Sequence, residues 1–335
     1  MALRKLSFVV APGDADKRLD QFLAEALPSR LGEPISKTSV KRLIADGGVY
    51  LNRHRVRIAS KLLRQAAQIE VYLDLAALKD PIHPGSREWV MTAERVLFED
   101  EYLIAVDKPP GLPTQATLND ARNNLYESVR KFLAARNRVS APYLGLHQRL
   151  DRDTSGVILL TKRKEANAGI AAAFAAHAVR KIYLALTARP AELPPDAWTV
   201  SNHLGRMAGR GGASPRFAAV GEGGDFAQTD FRLLEALGRA LLIESRPLTG
   251  RTHQIRVHLS ESGLPILGDR LYGDHRAGRE RASEISAPRQ MLHAASLSVV
   301  HPLTRAEISV VSPLPADFEQ FRQSLKSALG SEPGG

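Results

Sequence analysis

Two carboxylates, Asp151 and Asp153, stand in the polar segment HQRLDRDTSG at 147–156, directly before the apolar run VILLTK at 157–162. A loop that ends where a strand begins exposes its side chains on a rigid support, the usual setting of a site. Arg149 and Arg152 flank Asp151. A neighbouring guanidinium lowers a carboxylate pKa and keeps the group ionised, and an ionised carboxylate can act as a nucleophile. A surface turn with ordinary ion pairs would contain the same residues, so the segment gains meaning only beside others. The segment RPLTGRTHQIRVHLSESG at 246–263 presents Arg251, His253 and Arg256 near Ile255 and Leu259. Its two histidines, His253 and His258, are five apart with no glutamate between them, unlike the i, i+4 ligand pair of a metalloprotease helix. No metal is expected. In RKIYLALT at 180–187, Tyr183 sits in a strand-like run. Its ring can stack on a base and its hydroxyl can take part in proton transfer, although a strand tyrosine packed in a core is the commoner case.

The elements that must hold these residues can be read around them. Strands are predicted at Tyr102–Val106, Val157–Thr161, Ile182–Thr187, Ala240–Ser245 and Ala295–Val300, and helices at Leu125–Arg136 and Glu165–His177. Thr252 is expected to cap a helix ended by Gly263, with Pro265 beyond. The Gly-rich stretch 205–224 reads as a mobile loop. Upstream, residues 16–73 read as a small α/β module. Leu19, Phe22, Leu23, Ala26 and Leu27 have helical spacing, with Pro28 expected to end that helix. A second helix, capped by Ser36, presents Val40, Leu43 and Ile44 and stops at Gly47-Gly48. Short strands follow at Val49–Leu51 and Ile69–Leu73, and the cations of Arg53-His54-Arg55-Val56-Arg57 lie between them. The Pro-containing segment KDPIHPGSREWV at 79–90 reads as a linker. The expected organisation is thus a basic module at 1–78, a linker at 79–92, a large domain at 93–326 and a frayed tail at 327–335.

Composition narrows the classes. The 335 residues are 44% hydrophobic and 24% charged, ordinary for a globular chain of about two domains. There is no cysteine, which excludes a disulfide scaffold, thiol catalysis and cysteine-ligated zinc and fits a reducing cytoplasm. No run of about 20 apolar residues exists, so no spanning helix is expected. The patch Leu6–Val10 is followed by Asp14 and Asp16, a poor signal peptide. The formal charge is +10. Residues 1–75 hold 13 Lys and Arg against 8 Asp and Glu, so half of the excess falls in less than a quarter of the chain. Such a module suits a polyanion, most often nucleic acid; solubility alone would also favour net charge.

Taken together, the motifs resemble those of the RluA-type RNA pseudouridine synthases. The matching segments are RLDRDTSGVILLTK at 149–162, TGRTHQIRVHLSESGLPILGDRLYG at 249–273 and FEDEYLIAVDKPPGL at 98–112, with KIYLAL and LHAASLSVVHP in the expected order. The resemblance covers residues 94–315. One departure is Gln148, which separates His147 from the Arg-Leu-Asp that usually follows the histidine directly. The N-terminal module resembles the small RNA-binding domain of a ribosomal protein through RLDQFLAEALP at 18–28, SVKRLIADGGVYLN at 39–52 and IEV at 69–71. It departs at Ser36-Lys37, where Ser-Arg is usual, and at Ala66-Ala67, where Gly-Asp is usual.

The resemblance implies an α+β fold, with a large mixed, mainly antiparallel sheet flanked by helices beside the small N-terminal α/β module. It implies isomerisation of uridine in RNA without a cofactor. Asp151 then matches the nucleophile, Arg256 the arginine that pairs with it, Tyr183 the tyrosine that stacks on the target base, and Arg149 an arginine that helps displace that base. Ile255 and Leu259 match an apolar floor. Attack on the ribose, attack on the base and elimination at the ribose all remain open for the aspartate. Arg251 and the module's Lys41, Arg42, Arg53 and Arg55 are read as phosphate contacts, which supply affinity and register. The expected partner is structured RNA, with ribosomal RNA favoured over tRNA, acted on by a cytoplasmic monomer away from membranes. A non-catalytic RNA-binding or ribosome-assembly protein of the same fold is the alternative; loss of Asp151, Tyr183 or Arg256 would mark it, and all three are present. Asp153-Thr154-Ser155-Gly156 also spells the turn of an aspartic protease, but the second such turn that a single chain needs is missing.

Overall fold

The apolar runs read from the sequence become strands of one broad sheet, and polar segments between them meet at its middle. A computed structural model describes residues 4–75, 89–117, 122–207, 216–273 and 285–327. In chain order the elements begin with β1 (Arg4–Val9), α1 (Leu19–Leu31), α2 (Lys37–Asp46), β2 (Val49–Leu51), β3 (His54–Val56) and β4 (Gln68–Leu73). Then come β5 (Val96–Glu99), β6 (Leu103–Lys108), α3 (Leu125–Asn137), β7 (Gly145–Leu146), β8 (Ser155–Thr161), α4 (Lys164–Ala175), β9 (Arg180–Ala188), β10 (Ala197–Met207) and β11 (Arg216–Ala219). The last are β12 (Asp225–Leu237), β13 (Ala240–Pro247), α5 (Gln254–Glu261), β14 (Leu292–Val300), β15 (Glu307–Val311) and α6 (Ala316–Ser327).

The chain groups into two compact units, one of Met1–Met91 with Gln115–Lys131, the other of Thr92–Thr114 with Phe132–Gly335. The segment 115–131, expected in the large domain, therefore groups with the N-terminal residues. Within that unit Trp89 N–H donates to Asn123 and Met91 N–H to Ser128. Most of the expected linker, residues 76–88, and the tail at 328–335 lie outside the described residues.

The first unit holds a four-stranded antiparallel sheet in the order β1-β4-β2-β3. Its core joins Leu19, Phe22, Leu23 and Leu27 of α1 to Val40, Leu43 and Ile44 of α2. Ser36 caps α2 by accepting from Ser39 N–H at 3.0 Å, and Gly47 closes it in the left-handed conformation, as read. One expectation needs correction, and one strand was not read. Pro28 lies inside α1, which ends only at left-handed Gly32; Pro forgoes one helical hydrogen bond, but the buried Leu27 and the packing of Leu31 carry the helix past it. The patch Leu6–Val10 is largely strand β1, whose partner β4 lies about 60 residues away and could not be seen locally.

The second unit holds an 11-stranded sheet with the path β11-β10-β12-β13-β9-β14-β8-β6-β5, β15 pairing β14 and β7 pairing β8. Its pairings are antiparallel except β14 with β8, where His293 faces Ser155 and Ala294 faces Gly156. The α+β architecture with a mainly antiparallel sheet matches the expectation. The stretch 205–224 is not simply a loop: β10 runs to Met207 and β11 pairs back onto it from Arg216, while 208–215 lie outside the described residues.

The parallel junction fixes where the Asp151 segment ends. Gly156 has φ +118°, and a Cβ there would fall 2.2 Å from the Ala294 carbonyl oxygen. Both the backbone angle and the close approach require glycine. Gly156→Ala is expected to lower stability by about 3 kcal/mol or more. Gly221→Ala, where nothing lies within 4 Å, should change it little. Urea denaturation of the two variants checks this.

Candidate active site

Asp151 hangs on a loop anchored almost wholly through its backbone. Leu150 is clamped by Thr114, whose hydroxyl donates to the Leu150 carbonyl at 2.8 Å and accepts its N–H at 3.0 Å. The Thr154 N–H donates to the Asp151 carbonyl at 3.2 Å. Lys108, at the end of β6 and fully buried, donates through Nζ to the carbonyls of Pro109, Leu112 and Arg152 at 3.0, 2.7 and 2.8 Å. Three acceptors match the three N–H bonds of an ammonium, although burial pulls its pKa down to about 7, against the raising charges of Asp153 and Asp151. On the far side Arg289 donates to the Asp153 carbonyl at 3.0 Å and to Ser155 at 3.2 Å, while paired with Asp317 of α6.

The opposite wall comes from the turn before α5 and the helix itself. Every residue from Gln254 to Ser260 is buried, so the helix is packed all round rather than on one face, and its polar side chains are paired. The Gln254 Oε1 accepts from the Thr249 hydroxyl at 2.7 Å and the Arg251 N–H at 3.0 Å, shaping the turn. Thr252 does not cap the helix. The cap residue is His253, left-handed at φ +58°, and the Gln254 side chain holds the turn instead.

Arg256 connects the two walls. Its Nη1 donates to Asp151 Oδ2 at 2.7 Å, and its Nε and Nη2 donate to Asp269 at 2.7 and 2.9 Å. The guanidinium also lies 4.9 Å from the centroid of the Tyr272 ring. Burial alone would lower the Arg256 pKa, but hydrogen bonds and charge from Asp269 and then Asp151 outweigh it and raise the value. Burial likewise works against the Asp269 carboxylate, yet Arg256 and the Leu271 and Tyr272 amides hold it below the usual range.

These groups line one cavity. Arg149, Asp151, Tyr183, Arg251, Ile255 and Arg256, all singled out from the sequence, share it with Lys181 and His253. Burial, then the charge of Asp151, pushes the Tyr183 phenol upward, so the ring stays protonated at neutral pH. Lys181 donates to the Thr249 carbonyl at 3.1 Å, and burial lowers it to about 8. Arg149 and Arg251 are exposed, and Arg251 Nε donates to the Phe226 carbonyl at 2.9 Å.

Leu259 must be corrected. It is fully buried in the core and does not line the cavity; one turn beyond Ile255 on the same face of the helix, it lies deeper in the core. The four cations of the N-terminal module lie in the other unit. Lys41 and Arg53 are exposed, and Arg42 partly so. Arg55 is engaged, donating to the Tyr50 hydroxyl and the Thr117 carbonyl and stacking over the Tyr50 ring.

Sequence reasoning missed Asp269, Tyr272, Lys181 and His253. Asp269 and Tyr272 lie in the quoted GDRLYG but were given no role, since their pairing with Arg256 spans 13 and 16 positions. The two histidines of the α5 segment separate in role. His258 is buried and spends both nitrogens, on Thr229 at 2.9 Å and Asn202 at 3.0 Å.

Burial lowers His258 from 6.5 to about 4. The folded state keeps it neutral where the unfolded chain would protonate it. Its contribution, on the order of 3 kcal/mol, is therefore full above about pH 6.5 and lost as pH falls towards 4. Unfolding free energies at pH 4.5 and 7 should differ less in His258→Gln than in the unaltered protein.

The family model described as RNA pseudouridylate synthase matches residues 102–261. Ribosomal large subunit pseudouridine synthase D of Zymomonas mobilis is 32% identical, covering 92% of this chain and 93% of its own. Ribosomal large subunit pseudouridine synthase C of Vibrio cholerae is 31% identical, covering 94% and 95%. Among solved structures, human RNA pseudouridylate synthase domain containing 4 is 25% identical with a TM-score of 0.55, over 70% of this chain and 93% of its own.

Proposed function

From the premise that the chain belongs to the RNA pseudouridylate synthase family, and so isomerises uridine to pseudouridine in RNA, we propose that Asp151 is the nucleophile and large-subunit ribosomal RNA the substrate. The observation that carries the catalytic assignment is the 2.7 Å bond from Arg256 to Asp151 Oδ2, made by a guanidinium whose other face is locked on Asp269. A charge-assisted bond of this length is short and strong and orients the carboxylate. Among the described residues no hydrogen bond falls on Oδ1, which leaves that oxygen for the substrate.

In the reaction the N-glycosidic bond breaks, uracil turns, and C5 bonds to the ribose carbon. N1 ends protonated and the C5 proton passes to solvent. The target must leave its stack before any of this. Arg149, exposed at the mouth of the cavity, is suited to take its place. Tyr183 offers the base an aromatic face, and Ile255 an apolar one. Its phenol, held neutral, brings no second anion beside Asp151. The three routes open to the carboxylate share one demand, an ionised oxygen at a fixed point.

Ribosomal RNA is favoured because the relatives bearing that name match nearly the whole chain, basic module included. Arg251, Lys41, Arg42 and Arg53 are taken as phosphate contacts. Arg55 would add its remaining donors. We take the enzyme to be a cytoplasmic monomer, since the absence of cysteine fits a reducing compartment; no described helix is long and apolar enough to cross a membrane.

Tritium release from ribosomal RNA labelled at uridine C5 tests the catalytic role. Asp151→Ala is expected to lower the rate by at least about 10⁴-fold while RNA binding persists; turnover by the variant would reject the assignment. Four single-strand phosphate contacts imply a slope of log K against log salt of about −3. Filter binding between 50 and 200 mM salt should therefore lose roughly 50-fold in affinity. A flat response would remove the phosphate contacts.

A further inference from the structure

His253 carries no role in the scheme above, yet it lines the cavity and its Nε2 lies 3.9 Å from Asp151 Oδ2. Its other nitrogen, Nδ1, is 2.9 Å from the Tyr272 hydroxyl. That hydroxyl oxygen also accepts the Phe217 N–H at 2.9 Å. Tyr272 is only 2% exposed, and a buried hydroxyl must donate somewhere. Among the described residues the acceptor in reach is His253 Nδ1. The imidazole then accepts at Nδ1 and has its proton on Nε2, the nitrogen that faces Asp151.

We propose that His253 is the second hydrogen-bond donor to the Asp151 carboxylate, a positioning residue whose tautomer is set by Tyr272. The inference rests on the assignment of Asp151 as nucleophile. The donor is neutral, so it adds direction without adding charge. Asp151 and Asp269 favour the charged imidazole. Burial, with Arg256 and Arg149, opposes it and prevails, lowering the pKa. Arg256 and His253 both address Oδ2 and both pack on the Tyr272 ring, the guanidinium 4.9 Å from its centroid and the imidazole edge-on at 5.6 Å. A separation of 3.9 Å is long for a hydrogen bond, but catalytic bonds are often long in free enzymes and tighten in the substrate complex. The left-handed backbone of His253, costly for a residue other than glycine, turns the ring towards the cavity instead of along α5.

The relay also extends outward. Phe217 belongs to β11, so the hydrogen bond to its amide couples that hairpin to the orientation of the donor. Phe217 further packs edge-on against His253 at 5.8 Å.

The test has a substrate-free arm and a kinetic arm. With ¹⁵N-labelled histidine in the full chain, and His253→Gln to assign the resonance, the imidazole of His253 should show the neutral Nε2–H tautomer at pH 7. In Tyr272→Phe, with no hydroxyl donating to Nδ1, the share of the Nδ1–H tautomer should rise above that in the unaltered protein. In single-turnover pseudouridine formation under saturating enzyme, Tyr272→Phe should slow the rate about 5- to 10-fold, and His253→Leu at least as much. His253→Gln, which keeps an N–H donor, should recover most of the loss. An Nδ1–H tautomer or an imidazolium in the unaltered protein would overturn the proposal. So would a wild-type rate in both Tyr272→Phe and His253→Leu. Turnover by Asp151→Ala, with the tautomer as stated, would instead count against the nucleophile assignment on which the proposal rests.

Discussion

One buried cation governs the centre of this molecule. Arg256 is 7% exposed in its side chain and is shared between Asp269, wholly buried, and Asp151, partly open to the cavity. Removing one partner of such a pair leaves an uncompensated buried charge, at a cost of about 3–5 kcal/mol. Asp269 is therefore what makes Arg256 possible inside the core: it neutralises the guanidinium and fixes its plane. Asp151 receives the remaining face of a group already immobilised. Its orientation is thus imposed from the core, by a residue that never reaches the cavity.

The loop that brings Asp151 to this cation is held in the same spirit. Thr114, Lys108 and Arg289 bind backbone carbonyls at Leu150, Arg152 and Asp153. Gly156 seals the loop's end against β14. Carbonyl anchors constrain the path of the chain while leaving the side chains to the site. Arg149 is exposed and, among the described residues, has no such anchor, whereas Asp151 is tied to Arg256. This division suits the proposed reaction, in which the nucleotide must move and the carboxylate must not.

Much of this was legible in the sequence, for physical reasons. The strands β8, β9 and β13 are continuous apolar runs, which local pattern detects well, and the motif residues Asp151, Tyr183 and Arg256 do converge on one cavity. What escaped was relational. The strand β1 depends on a partner far along the chain. Residues 115–131 group with the first unit through hydrogen bonds from Trp89 and Met91, whose partners no periodicity marks. Five of the eight residues of helix α5 are polar, yet from Gln254 to Ser260 it is buried all round. Its polar groups are satisfied by Asn202, Thr229, Gln228 and Tyr272. Leu259, equivalent to Ile255 on a helical wheel, faces core instead of cavity for the same reason.

The two histidines of that helix show how little residue type decides alone. His258 has both nitrogens spent and lies where nothing reacts. His253, five positions earlier, has one nitrogen fixed by a tyrosine and the other facing a carboxylate. The difference arises from the left-handed turn at His253 and from Tyr272, whose buried hydroxyl accepts a strand amide and, among the described residues, has His253 Nδ1 to donate to. A hydrogen-bond chain of this kind has a fixed sense: each donor determines the next. The polarity set at the Phe217 amide is therefore delivered, two bonds later, as an N–H directed at the carboxylate on which the proposed chemistry turns.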